Sequence, residues 1–352
     1  MILQVSRAIG LFAIARRLTQ SGLRILCYHG FALKDESEFH PKLFITARTF
    51  LMRLRYLHKH NYPVLPLAQA LELLDRGQLP PASTVITIDD GFYGTYLSAL
   101  DALHQFAFPA TTYVTTYYSL KGGPVFRLCV QYMFWKTRKD GFKGSHLGLD
   151  WLGDVAWHSA EEKTKIVWEI IHHGETACDE ESRRALCRRL GECLEVNYDE
   201  ILAHRLMSIL SPDEVRQVAR RGMDIQLHTH RHYFPVDREA AVKEIRDNRA
   251  ALEELVGQRL HHFCYPSGLW SNRQWSWLKE EGIQSATTCI PGFNYSSTHR
   301  LALRRFLDGE NIAFIEFEAE MSGFLELVRK TRAFMNRLVG REVGLSSRPV
   351  CR

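Results

Sequence analysis

The chain of 352 residues is 45% hydrophobic and 24% charged, which is ordinary globular composition with enough chain to bury a core, in one large domain or two. Its formal net charge is +5, but the basic residues are scattered or paired with acids, as in EESRRALCRRLGE, so no basic tract indicates nucleic-acid binding. The cysteines form no CxxC pair and no regular framework, which predicts reduced thiols in a cytoplasmic protein.

The first stretch of the chain, residues 1–21, is rich in apolar side chains and contains three arginines. Its apolar run is interrupted by Arg7 and ended by Arg16 and Arg17, so it is short for a membrane span, and no clear cleavage site follows. The spacing of the apolar residues predicts an amphipathic helix over 1–21; these residues are Ile2, Val5, Ile9 and Phe12. Two interpretations stay open: the helix packs on its own domain, which we favour, or it makes peripheral contact with a membrane surface.

Short apolar runs recur along the rest of the chain, bounded by turn residues and alternating with helical patterns. Such alternation is typical of a parallel sheet covered on both faces. The pattern predicts a barrel-like α/β domain over 22–340 and a tail over 341–352. The predicted strands lie within 24–30, 83–91, 110–116, 223–230, 262–268, 284–292 and 301–307. The predicted helices cover about 47–60, 67–76, 93–106, 238–257, 271–281 and 311–339.

The interval 120–210 breaks this rhythm. It has a mostly helical pattern, which predicts either a separate helical domain or, as we favour, a helical insertion over the active face. The regular pattern resumes in SPDEVRQVARRG, where Ser211 and Glu214 predict a capping box. Pro212 suits the first helical position, and Gly222 ends the helix.

Two carboxylates follow the apolar run TVITI. Asp89, Asp90 and Gly91 come directly after it, and α/β barrels place their sites at the carboxyl ends of strands. Adjacent carboxylates at a strand end point in different directions, so one can bind a metal while the other acts on a substrate or water. The alternative is that one aspartate caps the next helix and the other is solvated.

Three histidines follow the run MDIQL, at positions 228, 230 and 232. If the strand continues through them, all three imidazoles share one face, as in a three-histidine zinc site. If the strand ends at His228, only His228 and His232 need converge. One aspartate with two histidines would leave positions open for water and substrate. A histidine cluster and an aspartate pair at two strand ends therefore predict a metal-assisted hydrolytic site.

Two further strand ends carry residues of interest. RILCYHG ends in His29, a candidate general acid, and the alternative is a hydrogen-bonded core histidine. HFCYPSG ends in Tyr265, Pro266 and Gly268, a rigid turn that forms a pocket wall or serves the fold alone.

Together these motifs resemble those of the NodB-type polysaccharide deacetylases, carbohydrate esterase family four. TIDDGF resembles the family's TFDDG, HTHRH fits its H-[ST]-x-x-H, and FCYPSG follows in the family's order. ILCYHGF is similar to the N-terminal segment of the poly-N-acetylglucosamine deacetylases, a branch with permuted motif order. The resemblance covers about 22–320, apart from the helical interval. It implies a distorted (β/α)7 barrel that removes N-acetyl groups from an amino sugar in a polysaccharide or glycan precursor.

The resemblance also implies a role for each motif residue. Asp89 is the general base, and the metal ligands are Asp90, His228 and His232. His29 takes the general-acid role, as in the permuted branch.

The implied cofactor is a divalent metal, Zn first, although Co, Ni or Fe also suit aspartate and histidine ligands. With Asp90, His228 and His232 as the ligand set, His230 has no ligand role, and we predict that it points away from the metal.

The third motif departs from the family pattern. The family's R-x-P-Y-G supplies an arginine that orients the catalytic aspartate, whereas Cys264 occupies that position here and Ser267 replaces the aromatic residue. Arg305, on a late strand, is our candidate substitute. We expect Thr229 to bind an oxygen near the metal, and a backbone N–H near Tyr265 to stabilise an oxyanion.

Two other functions stay open. One is hydrolysis of a non-sugar amide or imide on the same fold, and the other is a catalytically silent carbohydrate-binding protein, against which the intact motif residues argue. The expected partner is an N-acetylated glycan or glycan precursor, met in the cytoplasm or at the inner membrane face. Nucleic acid is not expected as a partner.

Overall fold

The structure, a computed structural model, describes residues 1–338. A parallel sheet of seven strands forms its centre. Two smaller sheets of two strands each, β2-β3 and β6-β7, accompany it. In chain order the strands of all three sheets are β1 (Arg24–Tyr28), β2 (Gly30–Phe31), β3 (Phe44–Ile45), β4 (Thr84–Ile88), β5 (Thr111–Val114), β6 (Gly141–Lys143), β7 (Asp154–Ala156), β8 (Asp224–Leu227), β9 (His262–Cys264), β10 (Ser285–Thr287) and β11 (Phe306–Leu307).

The order across the main sheet is β10-β9-β8-β5-β4-β1-β11, and every pairing in it is parallel. Each predicted strand is present. All residues of β1, β4 and β5 are buried, as expected where helices cover both faces of a parallel sheet.

The chain after β10 draws the two edges of the sheet together. Leu303 donates its N–H to the carbonyl of Ala286 at 2.9 Å, on the β10 side. A few residues later Phe306 and Leu307 pair with β1 at the opposite edge. The sheet is therefore curled into a half-barrel, and the predicted distorted (β/α)7 barrel is confirmed.

Helices surround this sheet and fill the interval between β5 and β8. They are α1 (Ile2–Ala8), α2 (Leu11–Leu18), α3 (Glu36–Phe39), α4 (Ala47–Lys59), α5 (Leu67–Asp75), α6 (Leu100–Gln105), α7 (Tyr117–Lys121), α8 (Phe126–Lys136), α9 (Gly144–Leu147), α10 (Ala160–Ala177), α11 (Glu180–Leu194), α12 (Tyr198–Ala203), α13 (Pro212–Arg220), α14 (Arg238–Val256), α15 (Trp275–Glu280), α16 (Phe314–Met321) and α17 (Phe324–Leu338). A π-helical turn, Thr95–Ala99, precedes α6. Short 3₁₀ turns lie at Asp150–Leu152, Pro266–Gly268, Asn272–Gln274 and Arg300–Ala302.

Two of the predicted helices are broken by glycine. The single helix predicted over 1–21 is wrong, because Gly10 has φ 81° and separates α1 from α2. The helix predicted over 311–339 is likewise two helices, α16 and α17, separated at Gly323 with φ 79°. A Cβ at Gly323 would lie 2.0 Å from Thr19 Oγ1, so close packing also requires glycine there. The helix α13 begins with the predicted capping box between Ser211 and Glu214.

The interval 120–210 has a hydrophobic core of its own, distinct from the core under the sheet. It contains α8 to α12 and also the short antiparallel pair β6 and β7, which the helical pattern did not predict. Tyr132 donates to Asp35 at 2.7 Å and so ties this region to the loop after β2. The predicted tail over 341–352 lies outside the described residues.

Candidate metal and catalytic site

The end of β4 separates two adjacent carboxylates. Asp89 continues the strand ladder, since its N–H donates to the carbonyl of Tyr28 at 2.8 Å. Asp90 and Gly91 then adopt left-handed backbone, with φ 68° and 80°. Gly91 packs closely on β5, where a Cβ would lie 3.0 Å from Val114. This sharp turn sends the two carboxylates toward different neighbours.

Asp90 meets two imidazoles that come from the end of β8. Its Oδ1 lies 3.0 Å from His228 Nε2 and 3.1 Å from His232 Nε2. The two imidazole rings pack edge to face, with centroids 4.9 Å apart. Asp90 and His228 are buried and His232 is partly exposed, so the cluster opens to solvent on the His232 side.

Hydrogen bonding fixes the orientation of His228. Its Nδ1 lies 2.9 Å from the carbonyl oxygen of Cys264, which can only accept, so Nδ1 carries the proton. The lone pair of Nε2 then faces Asp90 Oδ1. Two acceptors 3.0 Å apart require a cation or a proton between them. An oriented imidazole with its second nitrogen on a carbonyl is typical of metal ligands.

The charges of the cluster act in the same sense. Burial alone would raise the pKa of Asp90, but His232 and His228 hold it well below its usual value. Burial lowers the pKa of His228, yet Cys264 and Asp90 outweigh this and raise it well above the ordinary range. A carboxylate and two imidazole nitrogens converging in this way fit a divalent cation.

Three groups among the described residues have ligand atoms within 4.8 Å of one another. Asp89 takes part in two of them, one with Cys27 and His29 and the other with His228 and Cys264. The charge of Asp89 is already neutralised by Arg305. The cluster of Asp90 with two histidines is therefore the better metal site.

The neighbour of Asp89 is Arg305. Two guanidinium nitrogens, Nη1 and Nη2, each lie 2.7 Å from one carboxylate oxygen of Asp89, and both side chains are buried. Leu26 pairs with both Ile86 and Phe306, so the backbone of Arg305 lies several residues before the carboxyl ends of the strands. Its side chain extends along the barrel interior toward those ends, where it meets Asp89. Bidentate pairs of this kind are the strongest charge-assisted hydrogen bonds.

The pKa of Asp89 reflects this pairing. Burial would raise the pKa, but the charge and hydrogen bonds of Arg305 outweigh burial and hold it far below its ordinary value. Two thiols complete the surroundings: Cys264 Sγ lies 3.2 Å and Cys27 Sγ 3.5 Å from Asp89 Oδ2. Asp89 is therefore ionised and rigidly held.

His29, from the end of β1, lies on the open side of Asp89. Its Nε2 is 3.7 Å from Asp89 Oδ2, and its side chain is 11% exposed. Burial lowers the pKa of His29, and the nearby carboxylates Asp89 and Asp90 only partly oppose this effect.

Two further predicted site residues, Thr229 and Tyr265, use their polar groups in hydrogen bonds within the fold. Thr229 is buried with φ 63°, and its Oγ1 accepts the N–H of Tyr233 at 3.1 Å, which shapes the loop carrying His232. Tyr265 donates its N–H to Thr287 and its hydroxyl to Leu301. An oxyanion contact at Tyr265 itself would require the strand bond to Thr287 to break.

Pro266 is buried and begins a 3₁₀ turn that follows Tyr265 and ends at the half-buried Gly268. Its role as a pocket wall stays a prediction. His230 lies outside the cluster of ligand atoms: its Nδ1 is 2.8 Å from Thr116 Oγ1 and its ring packs edge to face on Tyr117.

Asn248 is a supporting residue that the sequence interpretation missed. From α14 its Oδ1 accepts the N–H of His228 at 2.9 Å, and its Nδ2 donates to the carbonyl of Val114 at 2.9 Å. It ties β5 to β8 directly beneath the metal cluster. Its signal was a polar residue on the buried stripe of α14, between Ile245 and Leu252.

Comparison with known proteins agrees with this site. Residues 185–286 match the family model of the polysaccharide deacetylases. The match includes His228 and His232, whereas Asp89 and Asp90 precede it. A search of the curated proteins found no match.

Several solved structures are similar in fold. One is the deacetylase PplD of Streptococcus pyogenes in complex with acetate, with a TM-score of 0.56 and 15% identity over 87% of this chain and 97% of that chain. IcaB from Ammonifex degensii has a TM-score of 0.52 and 16% identity over 87% and 97%. A de-N-acetylase from Aggregatibacter actinomycetemcomitans has a TM-score of 0.51 and 13% identity over 85% and 99%. At these identities the likeness shows the fold. With the family-model match, it confirms the predicted resemblance of this chain to the NodB-type polysaccharide deacetylases.

Proposed function

We propose that this protein is a metal-dependent carbohydrate N-deacetylase, which hydrolyses the N-acetyl group of an amino sugar in a polysaccharide or glycan precursor. The observation that carries the proposal is the division of one strand end. Asp90 faces two imidazoles, and Asp89 beside it is ionised and held by Arg305 on both of its oxygens. The family-model match and the deacetylases of similar fold support the same reaction.

The ligands of the metal would be Asp90, His228 and His232, with Zn the first candidate and Co, Ni or Fe also compatible with this donor set. When bound, such a cation polarises a carbonyl and lowers the pKa of water. The part of this chain is to hold three ligand atoms within 4.8 Å of one another and to leave the His232 side open to substrate.

Asp89 would accept the proton of the attacking water. A general base must be ionised at rest, and Arg305 secures this by holding the pKa of Asp89 far below neutrality. The bidentate contact also fixes the direction of the carboxylate.

His29 would deliver that proton to the departing amine. Because burial lowers the pKa of His29, its proton would come from the water by way of Asp89. The two side chains lie 3.7 Å apart, so the transfer requires them to close to hydrogen-bond distance when substrate binds. The products are acetate and a free amino sugar, and the carboxylate and imidazole return to their starting protonation states. A backbone N–H of the 3₁₀ turn that begins at Pro266 is our candidate for holding the oxyanion.

A cavity between the loop 228–232 and the insertion is our candidate for binding further sugar residues of a glycan. This cavity of about 540 Å³ joins the histidine loop to α7 and α11, and its lining includes Tyr117, His230, Arg231 and Glu180. An aromatic ring beside charged hydrogen-bonding groups suits a sugar, which presents both C–H faces and hydroxyls.

The test is acetate release from defined N-acetylated glycans by the purified protein, after chelation and after reloading with Zn, Co, Ni or Fe. We expect release from at least one N-acetylglucosamine oligomer, lost on chelation and restored by metal. Cyclic imides and simple acetamides serve as the comparison substrates. Turnover of an imide without release from any glycan, or no turnover with metal fully bound, would overturn the proposal.

A further inference from the structure

An apolar surface is exposed at the end of the barrel where the chain begins. On α1 and α2, Ile2 is 76%, Ile9 65% and Leu18 68% exposed. On the adjacent α17, Phe334 is 63% and Met335 58% exposed. We call the exposed side chains of these three helices the terminal surface. Contiguous apolar patches of this kind mark interaction sites on soluble domains.

The helices that carry the terminal surface are firmly packed by their other face. The rings of Phe12 and Phe324 lie 5.3 Å apart, and Arg7 donates to Glu318 at 2.6 Å. Thr19 fills the space beside Gly323. These contacts are made by the inner face, whereas Ile2, Ile9 and Leu18 keep most of their surface exposed.

A groove of about 490 Å³ runs between α2 and α17 within the terminal surface. Its lining is mostly aliphatic and includes Leu11, Ile14, Leu327 and Val328. An aliphatic groove open to solvent suits acyl chains or other flexible apolar groups.

The charge around the terminal surface is positive. Residues 1–22 contain three arginines and no acidic residue. The helix α17 adds Arg329, Lys330 and Arg332. Three carboxylates pair with some of these cations: Glu318 with Arg7, Glu320 with Arg329, and Glu326 with Arg329 and Lys330. The six cations outnumber the three carboxylates. A second copy of this chain would present the same positive charge and repel. Anionic headgroups are complementary to it.

We propose that the terminal surface docks on an anionic phospholipid bilayer, with α1, α2 and the exposed side of α17 lying in the interface. Within residues 1–338, no helix combines the length and the hydropathy of a membrane-spanning segment. The proposed contact is that of amphipathic helices lying in the interface. Apolar side chains flanked by arginine and lysine on short, well-packed helices are suited to this mode.

The surface lies at the opposite end of the sheet from the metal cluster. β1 begins directly after α2, and Arg24 at its first position donates to the carbonyl of Met321 at 2.8 Å. The amino ends of the strands therefore face the terminal surface, whereas Asp90 and His228 lie at the carboxyl ends. A docked protein would hold its site open and directed away from the bilayer.

The experiment is co-sedimentation of the full chain with vesicles of phosphatidylcholine alone or mixed with phosphatidylglycerol. We expect binding to the anionic vesicles that weakens as salt rises. The variants Ile9→Ser/Ile14→Ser and Arg17→Glu/Arg332→Glu should each lower the partition coefficient by roughly tenfold or more. Matched controls on other exposed surfaces are Leu97→Ser/Met52→Ser and Arg238→Glu/Lys243→Glu, which should bind as the unaltered protein does.

Three results would overturn the proposal. The first is an unaltered protein that stays in the supernatant with anionic vesicles. The second is binding that the control variants lose as strongly as the terminal-surface variants. The third is a dimer in solution that Ile9→Ser/Ile14→Ser dissociates while vesicle binding is absent, which would make the surface an interface between copies. Thermal unfolding of each variant confirms that it is folded.

Discussion

Asp89 and Asp90 carry the same side chain at consecutive positions, yet their surroundings differ. Asp89 faces the barrel interior, where Arg305 contacts both of its oxygens at 2.7 Å. Asp90 faces the opening, where two imidazole nitrogens lie 3.0 and 3.1 Å from one oxygen. The guanidinium of arginine stays protonated and has no lone pair for a metal, whereas neutral imidazole is a common metal ligand. The left-handed backbone of Asp90 at the strand end thus directs two adjacent carboxylates toward different partners, and so toward different chemical roles.

The largest effect is expected on the Asp89 side, from Arg305→Met. The change leaves a buried carboxylate without its partner, which should cost about 3–5 kcal/mol in the free energy of unfolding. Acetate release should fall with it, because Asp89 loses both its ionised state and its direction. Chemical denaturation and initial rates measure the two effects. Arg305→Lys keeps the charge without the bidentate contact, so it should retain more stability and still lose turnover.

Arg53 provides a matched control for that variant. It forms a second buried pair, Arg53 Nε to Asp308 Oδ2 at 3.0 Å, outside the site. Burial raises the pKa of Asp308 to about 6, in contrast to Asp89, because the contact with Arg53 is less complete. Arg53→Met should lose comparable stability while its folded fraction keeps acetate release. Full turnover in Arg305→Met would contradict the role given to Arg305.

On the Asp90 side, His232→Gln should remove a metal ligand and His230→Gln should not. We expect the metal affinity of the first to fall by roughly 100-fold or more, beyond what loss of a supporting partner costs. The second should bind metal as the unaltered protein does, because the ring of His230 contacts Thr116 and Tyr117 instead. Competition with a chromogenic chelator measures both. Equal losses would mean that the two histidines are not distinguished.

A smaller effect is expected from Asn248→Ala, which removes the acceptor of the His228 N–H. Supporting residues of metal ligands typically change affinity by about 10- to 100-fold. Asn294→Ala is the matched control, since Asn294 is also a buried asparagine that bonds backbone groups, those of Leu23 and Arg304 rather than that of a ligand. It should lower the melting temperature without changing metal affinity. The assignment fails if the two variants affect metal affinity equally.

The strand ends could be predicted because each apolar run is short, bounded by turn residues and followed by the motif residues themselves. Arg305 could be proposed because the family's usual arginine is missing from the third motif. The contact of its side chain with Asp89 could not be predicted, because it depends on the register of β11 against β1. Asn248 joins two strands from a helix, a contact between distant parts of the chain that no local pattern encodes. The helix breaks at Gly10 and Gly323 could not be predicted, because glycine can adopt a positive φ but can also continue a helix.

The most direct test of the division between the two carboxylates is a comparison of Asp89→Asn with Asp90→Asn. Metal content by mass spectrometry and acetate release from an N-acetylglucosamine oligomer would be measured on the same folded preparations. We expect Asp89→Asn to keep its metal and to lose turnover by roughly 10²- to 10⁴-fold, and Asp90→Asn to lose the metal and the turnover together. Retained turnover in Asp89→Asn, or equal loss of metal from both variants, would contradict the account.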